Sequence, residues 1–199
     1  MNFTSQLFTP GVQALLEPAL FADTKFPNID HPHIFLRPIE KDDFSTWFAY
    51  LSLPVVQQHI SWRPRSSQDL QEFISNHRWN TSNQQFKFAI ADKDHGKLLG
   101  TIGFHSLSTA QRSVEIAYDL HPQFWGKGIM RFCCDALSNW ALREAKLNRL
   151  QATVLEHNQA SLKVLQNCGF QTEGLLRNYK VVDGISRHYW MLSRIAGDK

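Results

Sequence analysis

The segment from Arg112 to Phe132, RSVEIAYDLHPQFWGKGIMRF, constrains the fold more than any other part of the chain. Its first half alternates strictly: Val114, Ile116, Tyr118 and Leu120 share one face, and Glu115, Ala117 and Asp119 share the other. A period of two marks a β-strand. From Gly128 to about Ala145 the period lengthens, and Ile129, Cys133, Ala136, Leu137, Trp140 and Ala141 recur at helical spacing. A strand running through a short loop into an amphipathic helix must cover a sheet face with that helix, so the segment points to an α/β domain.

The loop between them, HPQFWGKG, is the chemically suggestive part. Two familiar phosphate loops do not fit. A Walker loop needs G-x-x-x-x-G-K-[ST], but Gly126-Lys127 is followed by Gly128, and His121 stands five places earlier. A dinucleotide fingerprint needs a third glycine where Arg131 stands. The remaining physics still favours an anion. The first amides of a helix have no internal partners and sit at the positive end of its dipole. Glycines let a backbone approach a ligand closely, and successive N–H groups can form an anion nest. The alternative is a tight strand-to-helix turn that binds only water.

The rest of the chain supplies the framework. HIFLRP, from His33, reads as a strand, EKDDFSTWFAYLS as a helix with acids in its first turn, and SSQDLQEFISNHRW as a helix capped by Ser66 or Ser67. QFKFAIADKDHGKLLGTIGFHSL reads as a hairpin, RLQATVL as a strand, and NQASLKVLQNCG as a helix from Asn158 to a C′ glycine, Gly169. The tail is a second hairpin turning at Asp183-Gly184. The expected order is β-α-α-β-β-β-α-β-α-β-β, a mixed sheet with helices on both faces. Residues 1–32, with a short helical pattern in GVQALLEPALF and a turn-rich connector, read as an N-terminal extension of a single domain over 33–196.

Composition narrows the functional classes. Lys plus Arg exceeds Asp plus Glu by only 3, and no basic run reaches five residues, which disfavours nucleic acid as a partner. Cys133, Cys134 and Cys168 are odd in number, fit no zinc spacing and read as small buried residues, so no metal is expected. No apolar run reaches membrane-span length, and no Lys or Arg precedes Lys25 to make the front of a signal peptide. The expectation is a cytoplasmic protein without membrane contact, monomer or homodimer.

Gln123-Phe124-Trp125-Gly126-Lys127-Gly128 resembles the Q/R-x-x-G-x-G/A signature of the GNAT superfamily of N-acetyltransferases. VEIAYDLHPQFWGKGIM, NQASLKVLQNCGF and EGLLRNYKVVDG are similar to the branch containing the ribosomal-protein N-terminal (alanine/serine) acetyltransferases, as are LRP at Leu36 and SWRP at Ser61. The resemblance covers about residues 33–196. It implies a mostly antiparallel central sheet with a V-shaped splay between strands 4 and 5, and acetyl-CoA as cofactor. The loop amides around Gln123, Phe124, Trp125, Gly126, Lys127, Gly128, Ile129 and Met130 would hold the pyrophosphate. The strand edge at Ile116, Ala117, Tyr118 and Leu120 would hold the pantetheine arm.

The resemblance also implies that Asn158 contacts the cofactor and that the Ser161 hydroxyl lies near the sulfur, although Asn158 is equally a good helix N-cap. Glu115 is the first candidate for the base; it could instead be a structural strand carboxylate paired with an arginine. Tyr118 and Tyr179 are further proton donors. Trp47, His59, Trp62 and Arg63, with Tyr179, would wall the acceptor side. In this branch an acid is often found in the stretch matching Arg177–Lys180, which here reads Arg-Asn-Tyr-Lys. The acceptor is therefore left as a protein N-terminus or a small amine. An α-amine, with a reference pKa near 8, is about one-tenth neutral at pH 7 and needs little help from a base; an amine near 10.4 needs more. A non-catalytic acyl-CoA sensor with the same cradle is the competing reading.

Overall fold

Alternating segments become strands β1 (Ile34–Pro38), β2 (Gln85–Asp92), β3 (Leu98–Ser108), β4 (Ser113–Leu120), β5 (Arg149–Leu155), β6 (Gln171–Val182) and β7 (Ile185–Ile195). The helices are α1 (Asp43–Leu51), α2 (Pro54–Gln57), α3 (Ser67–Asn76), α4 (Ile129–Arg143) and α5 (Gln159–Asn167). This computed structural model describes residues 27–76 and 85–198. The helical pattern in GVQALLEPALF and the last residues of SSQDLQEFISNHRW, 77–79, lie outside them.

The strands form one sheet in the order β1-β2-β3-β4-β5-β7-β6, antiparallel except for the parallel β4–β5 pair. Helices cover both faces. Phe88 and Ile90 of β2 enter one core with Leu137 of α4 and Leu165 of α5, while Ala89 between them joins Phe44, Trp47 and Tyr50 of α1 and Leu70 of α3. Each fully buried side chain of this size stabilises the fold by about 1.5–3 kcal/mol. Ile29, ahead of β1, also packs into the larger core.

Local chemistry sets the element ends. Asp43, buried in the first turn of α1, receives both Arg37 guanidinium nitrogens at 2.6 and 2.8 Å and the Glu40 N–H at 2.8 Å. The hydrogen bond to Asp43 raises the Arg37 pKa above its ordinary value. Ser66 and Asp69 exchange hydrogen bonds at the start of α3, a reciprocal cap. Asp183 and Gly184 both take positive φ, 51° and 75°, as their hairpin turn requires. Two short elements were not expected, α2 and a 3₁₀ turn over Pro122–Phe124. Each starts with a proline at its first position, where the missing N–H costs nothing. Neither is long enough to show a hydrophobic period. Among the described residues, no helix is long and apolar enough to cross a membrane.

Candidate active site

The β4–β5 pairing stops early. Its register runs only through Ser113↔Arg149, Val114↔Leu150 and Glu115↔Gln151, while β5 continues on β7 as far as Leu155↔Tyr189. Beyond Glu115 the two parallel strands part, leaving one edge of β4 from Ile116 to Leu120 open. A cleft of about 640 Å³ occupies the gap and continues past the start of α4.

At one end lies the glycine loop. Gly126 and Gly128 take φ of +73° and +77°, and a Cβ at either would meet nothing within 4 Å. The amides before them are used: Gln123 N–H donates to His121 Nδ1, Phe124 N–H to the His121 carbonyl, and Trp125 N–H to the Pro122 carbonyl. Among the described residues, the N–H groups of 126–131 find no acceptor; the first amide of α4 to do so is that of Phe132, on the Gly128 carbonyl at 3.0 Å. Six successive unpaired donors at a helix N-terminus, with no side-chain cap, make an anion cradle. Among the described residues, the open β4 edge has one internal occupant at its end, the Trp125 indole N–H on the Leu120 carbonyl at 2.7 Å.

In the middle of the cleft, Tyr118 reaches toward α5. Its hydroxyl lies 2.9 Å from Ser161 Oγ and 3.3 Å from the Ser161 carbonyl. Burial holds the Tyr118 pKa well above its ordinary value, so the phenol stays a proton donor. Asn158 caps α5 by accepting the Ser161 N–H at 3.1 Å, which fixes the serine in place. No cysteine lines the cleft among the described residues, and burial pushes the Cys133 thiol up to about 12.

The opposite face of β4 carries the carboxylates. Glu115, 5% exposed, stands where the strands part. It accepts Thr153 Oγ1 at 2.5 Å and Gln151 Nε2 at 3.5 Å, with His105 Nε2 at 3.7 Å. Among the described residues its partners are thus Thr153, Gln151 and His105, and not the arginine of the structural alternative. Burial lowers the His105 pKa despite the adjacent Glu115. Asp119 receives the Tyr50 hydroxyl, Trp47 Nε1 at 3.1 Å and Thr101 Oγ1 at 2.7 Å, with Lys87 Nζ at 3.5 Å. It fastens α1 to the sheet and so fixes that wall of the cleft. Burial, then Asp119, raises the Tyr50 pKa.

Residues 33–171 match the family of acetyltransferase (GNAT) domains. The chain belongs to the GNAT acetyltransferase family. It is an acyltransferase of the N-acetyltransferase type, with acetyl-CoA as co-substrate. It is 30% identical over 162 residues to the uncharacterized N-acetyltransferase p20 of Bacillus licheniformis, covering 79% of this chain and 90% of that one. Over 100 residues it is 26% identical to the ribosomal protein uS5-alanine N-acetyltransferase of Escherichia coli, 50% of this chain and 52% of that one. Its fold superposes with a TM-score of 0.75 on RimL, the ribosomal L7/L12 α-N-protein acetyltransferase, in complex with coenzyme A, at 19% identity, covering 85% of this chain and 97% of that one.

Within this GNAT domain, the structure brings most of the sequence-derived candidates to one cleft. Glu115 to Tyr118, Leu120, Phe124 to Gly126, Gly128 to Met130, Asn158 and Ser161 line it, as do Trp47, His59 and Trp62. Four candidates do not. Gln123 spends its N–H on His121, and Lys127 lies over the Phe124 ring at 5.2 Å. Arg63 pairs with Asp183 at 2.8 Å, strapping the segment after α2 to the β6–β7 turn. Tyr179, 43% exposed, packs edge-on against Tyr189. Trp62 stacks on Phe73 at 4.5 Å, and the His59 pKa is lowered by burial and then by His157. Sequence reasoning missed Lys87, His105, Asp119, Thr153, Lys180 and Tyr189, all of which line the cleft. For Asp119 a signal existed: it shares the polar face of β4 with Glu115.

Proposed function

We propose that the protein transfers acetyl from acetyl-CoA to a primary amine, a protein N-terminus or a small amine, by direct attack on the thioester. The observation that carries the reading is one continuous cleft that joins the unpaired amides of 126–131 to Tyr118–Ser161 and then to Glu115. The catalytic unit is residues 33–196. Amides of 126–131 take the diphosphate, and the open edge of β4 from Ile116 orients the arm that leads to the sulfur. Acetyl-CoA supplies an activated acetyl group, whose transfer forms a C–N bond and breaks a C–S bond.

The chain's residues handle the protons. Tyr118 gives its phenolic proton to the departing sulfur, and Ser161 Oγ, 2.9 Å away, relays its replacement. Glu115 accepts the proton lost by the acceptor nitrogen, directly or through water, with His105 beside it. The lack of a cleft cysteine supports direct transfer over an acyl-cysteine route. Trp47, Trp62 and the Asp119-anchored α1 exclude water from the acceptor side.

The test combines binding and turnover. Calorimetry should show saturable CoA binding, and hydrogen exchange should show the amides of 126–131 protected by it. Thiol release should then require an acyl-CoA and an amine together. CoA binding that leaves those amides exchanging freely would refute the cradle. Binding without turnover across a broad panel of amines and peptides would leave the non-catalytic sensor standing.

A further inference from the structure

We infer that the acceptor carries a carboxylate close to its amine, and that Lys180 and Tyr189 receive that carboxylate. The subsite presupposes the acyl transfer proposed above and lies on the acceptor side of the same cleft.

Tyr189 is 3% exposed, lines the cleft, and its hydroxyl has no hydrogen-bond partner. Ser61 lies close enough to perturb the phenol without completing a hydrogen bond to it. A buried hydroxyl left unpaired costs about 1–3 kcal/mol, so an orphan on a residue of the cleft wall is a donor held for a ligand. Lys180 lines the same wall. Its Nζ lies 3.4 Å from Thr153 Oγ1 and 5.3 Å from the ring centroids of Tyr179 and Tyr189. Among the described residues, no carboxylate forms an ion pair with it, whereas Lys87 across the cleft has Asp119 at 3.5 Å.

The backbone is shaped to aim this lysine. The β6–β7 register is regular at Leu176↔Tyr189 and again at Lys180↔Arg187, with an irregularity between. Within it Asn178 takes φ of +50°, and its N–H donates to His188 Nδ1 at 2.8 Å. A bulge of this kind redirects the side chains beside it, here bringing Lys180 to the cleft wall. Thr153 Oγ1 then sits between the two charges, 2.5 Å from Glu115 and 3.4 Å from Lys180. An amine presented to Glu115 with a carboxylate a few bonds away fits that pair, as in a free amino acid or a peptide whose first residue is acidic. A polyamine does not, because its second cation would meet Lys180.

The experiment compares acceptors matched except for charge: free amino acids against their amides, and peptides beginning with Asp or Glu against Asn or Gln. Wild type should show a KM about tenfold or more lower for the acid of the preferred series. That series distinguishes a small-molecule source from a peptide one. Lys180→Gln and Tyr189→Phe should each raise KM for the acid about tenfold while leaving the amide and the CoA Kd unchanged. Tyr189→Phe removes an orphan hydroxyl, so folding should not suffer. If neither series is acetylated, calorimetry with the CoA-loaded protein reads the same comparison. Acid and amide used or bound equally well, no binding of either, or equal losses for both in Lys180→Gln would overturn the subsite while acetyl transfer stands. Failure to bind CoA would instead strike at the acyltransferase reading.

Discussion

Gly128→Ala separates an anion cradle from a mere turn. Gly128 is the N-cap of α4 at φ +77°, and an added Cβ meets no atom of the protein within 4 Å. The cost to the fold is therefore backbone strain alone, about 1–2 kcal/mol for an L-residue in the left-handed region. For a chain of this size, that lowers Tm by roughly 2–8 °C. The effect on the cofactor should be larger. Shifting the backbone at Gly128 tilts the adjacent amides and weakens hydrogen bonds to a charged diphosphate, worth about 1.5–3 kcal/mol each. Loss of one such bond raises the CoA Kd tenfold or more. Gly96→Ala is the control: Gly96 has φ +69° and equally open space, but lies in the β2–β3 turn away from the cleft. Calorimetric Kd and thermal melts of the three proteins decide. Similar Tm losses in both variants, with Kd raised only in Gly128→Ala, are expected. A Gly128→Ala protein with lower Tm and wild-type Kd refutes the cradle.

Tyr118→Phe should lower kcat by about 10- to 100-fold with little change in the KM for acetyl-CoA, because the phenol is assigned to proton transfer and not to holding the cofactor; an unchanged kcat in steady-state thiol release would remove the phenol from the proton path. Asp119→Ala leaves the Trp47 indole, the Tyr50 hydroxyl and the Thr101 hydroxyl without their acceptor, and should cost about 3 kcal/mol or more, seen as a Tm loss of roughly 6–12 °C. Arg149, then Ser193, holds the Glu173 carboxyl down at about 2. Because that folded value lies below the unfolded one, the stabilisation is present above the ordinary carboxylate range and is lost as pH falls through about 2. Melts of Glu173→Gln should therefore fall below wild type at pH 6 and converge with it near pH 2; a gap constant with pH would show that the pair's charge is irrelevant.

Local pattern carried most of the framework. RLQATVL is β5 residue for residue, and Asn158, Gly169 and Asp183-Gly184 do at their ends what their side chains and backbone freedom suggest. These are short-range effects, so neighbours along the chain suffice to reveal them. The element α2 escaped because one turn contains no period. On the cofactor side the candidates largely coincide with the cleft lining, since one strand, one loop and one helix start supply them contiguously. The acceptor side was harder to read. Glu115 was visible, but its partners come from β3 and β5, and Lys180 joins the cleft wall just past the register irregularity of β6 around Asn178.

The sequence alone determined that a strand, a glycine turn and an amphipathic helix follow one another, because periodicity and left-handed glycines act over a few residues. Tertiary structure decided where β4 and β5 part, which amides stay unpaired at that opening, and which charges from distant strands meet there. Those outcomes depend on pairing register, and register is settled by the whole sheet packing at once.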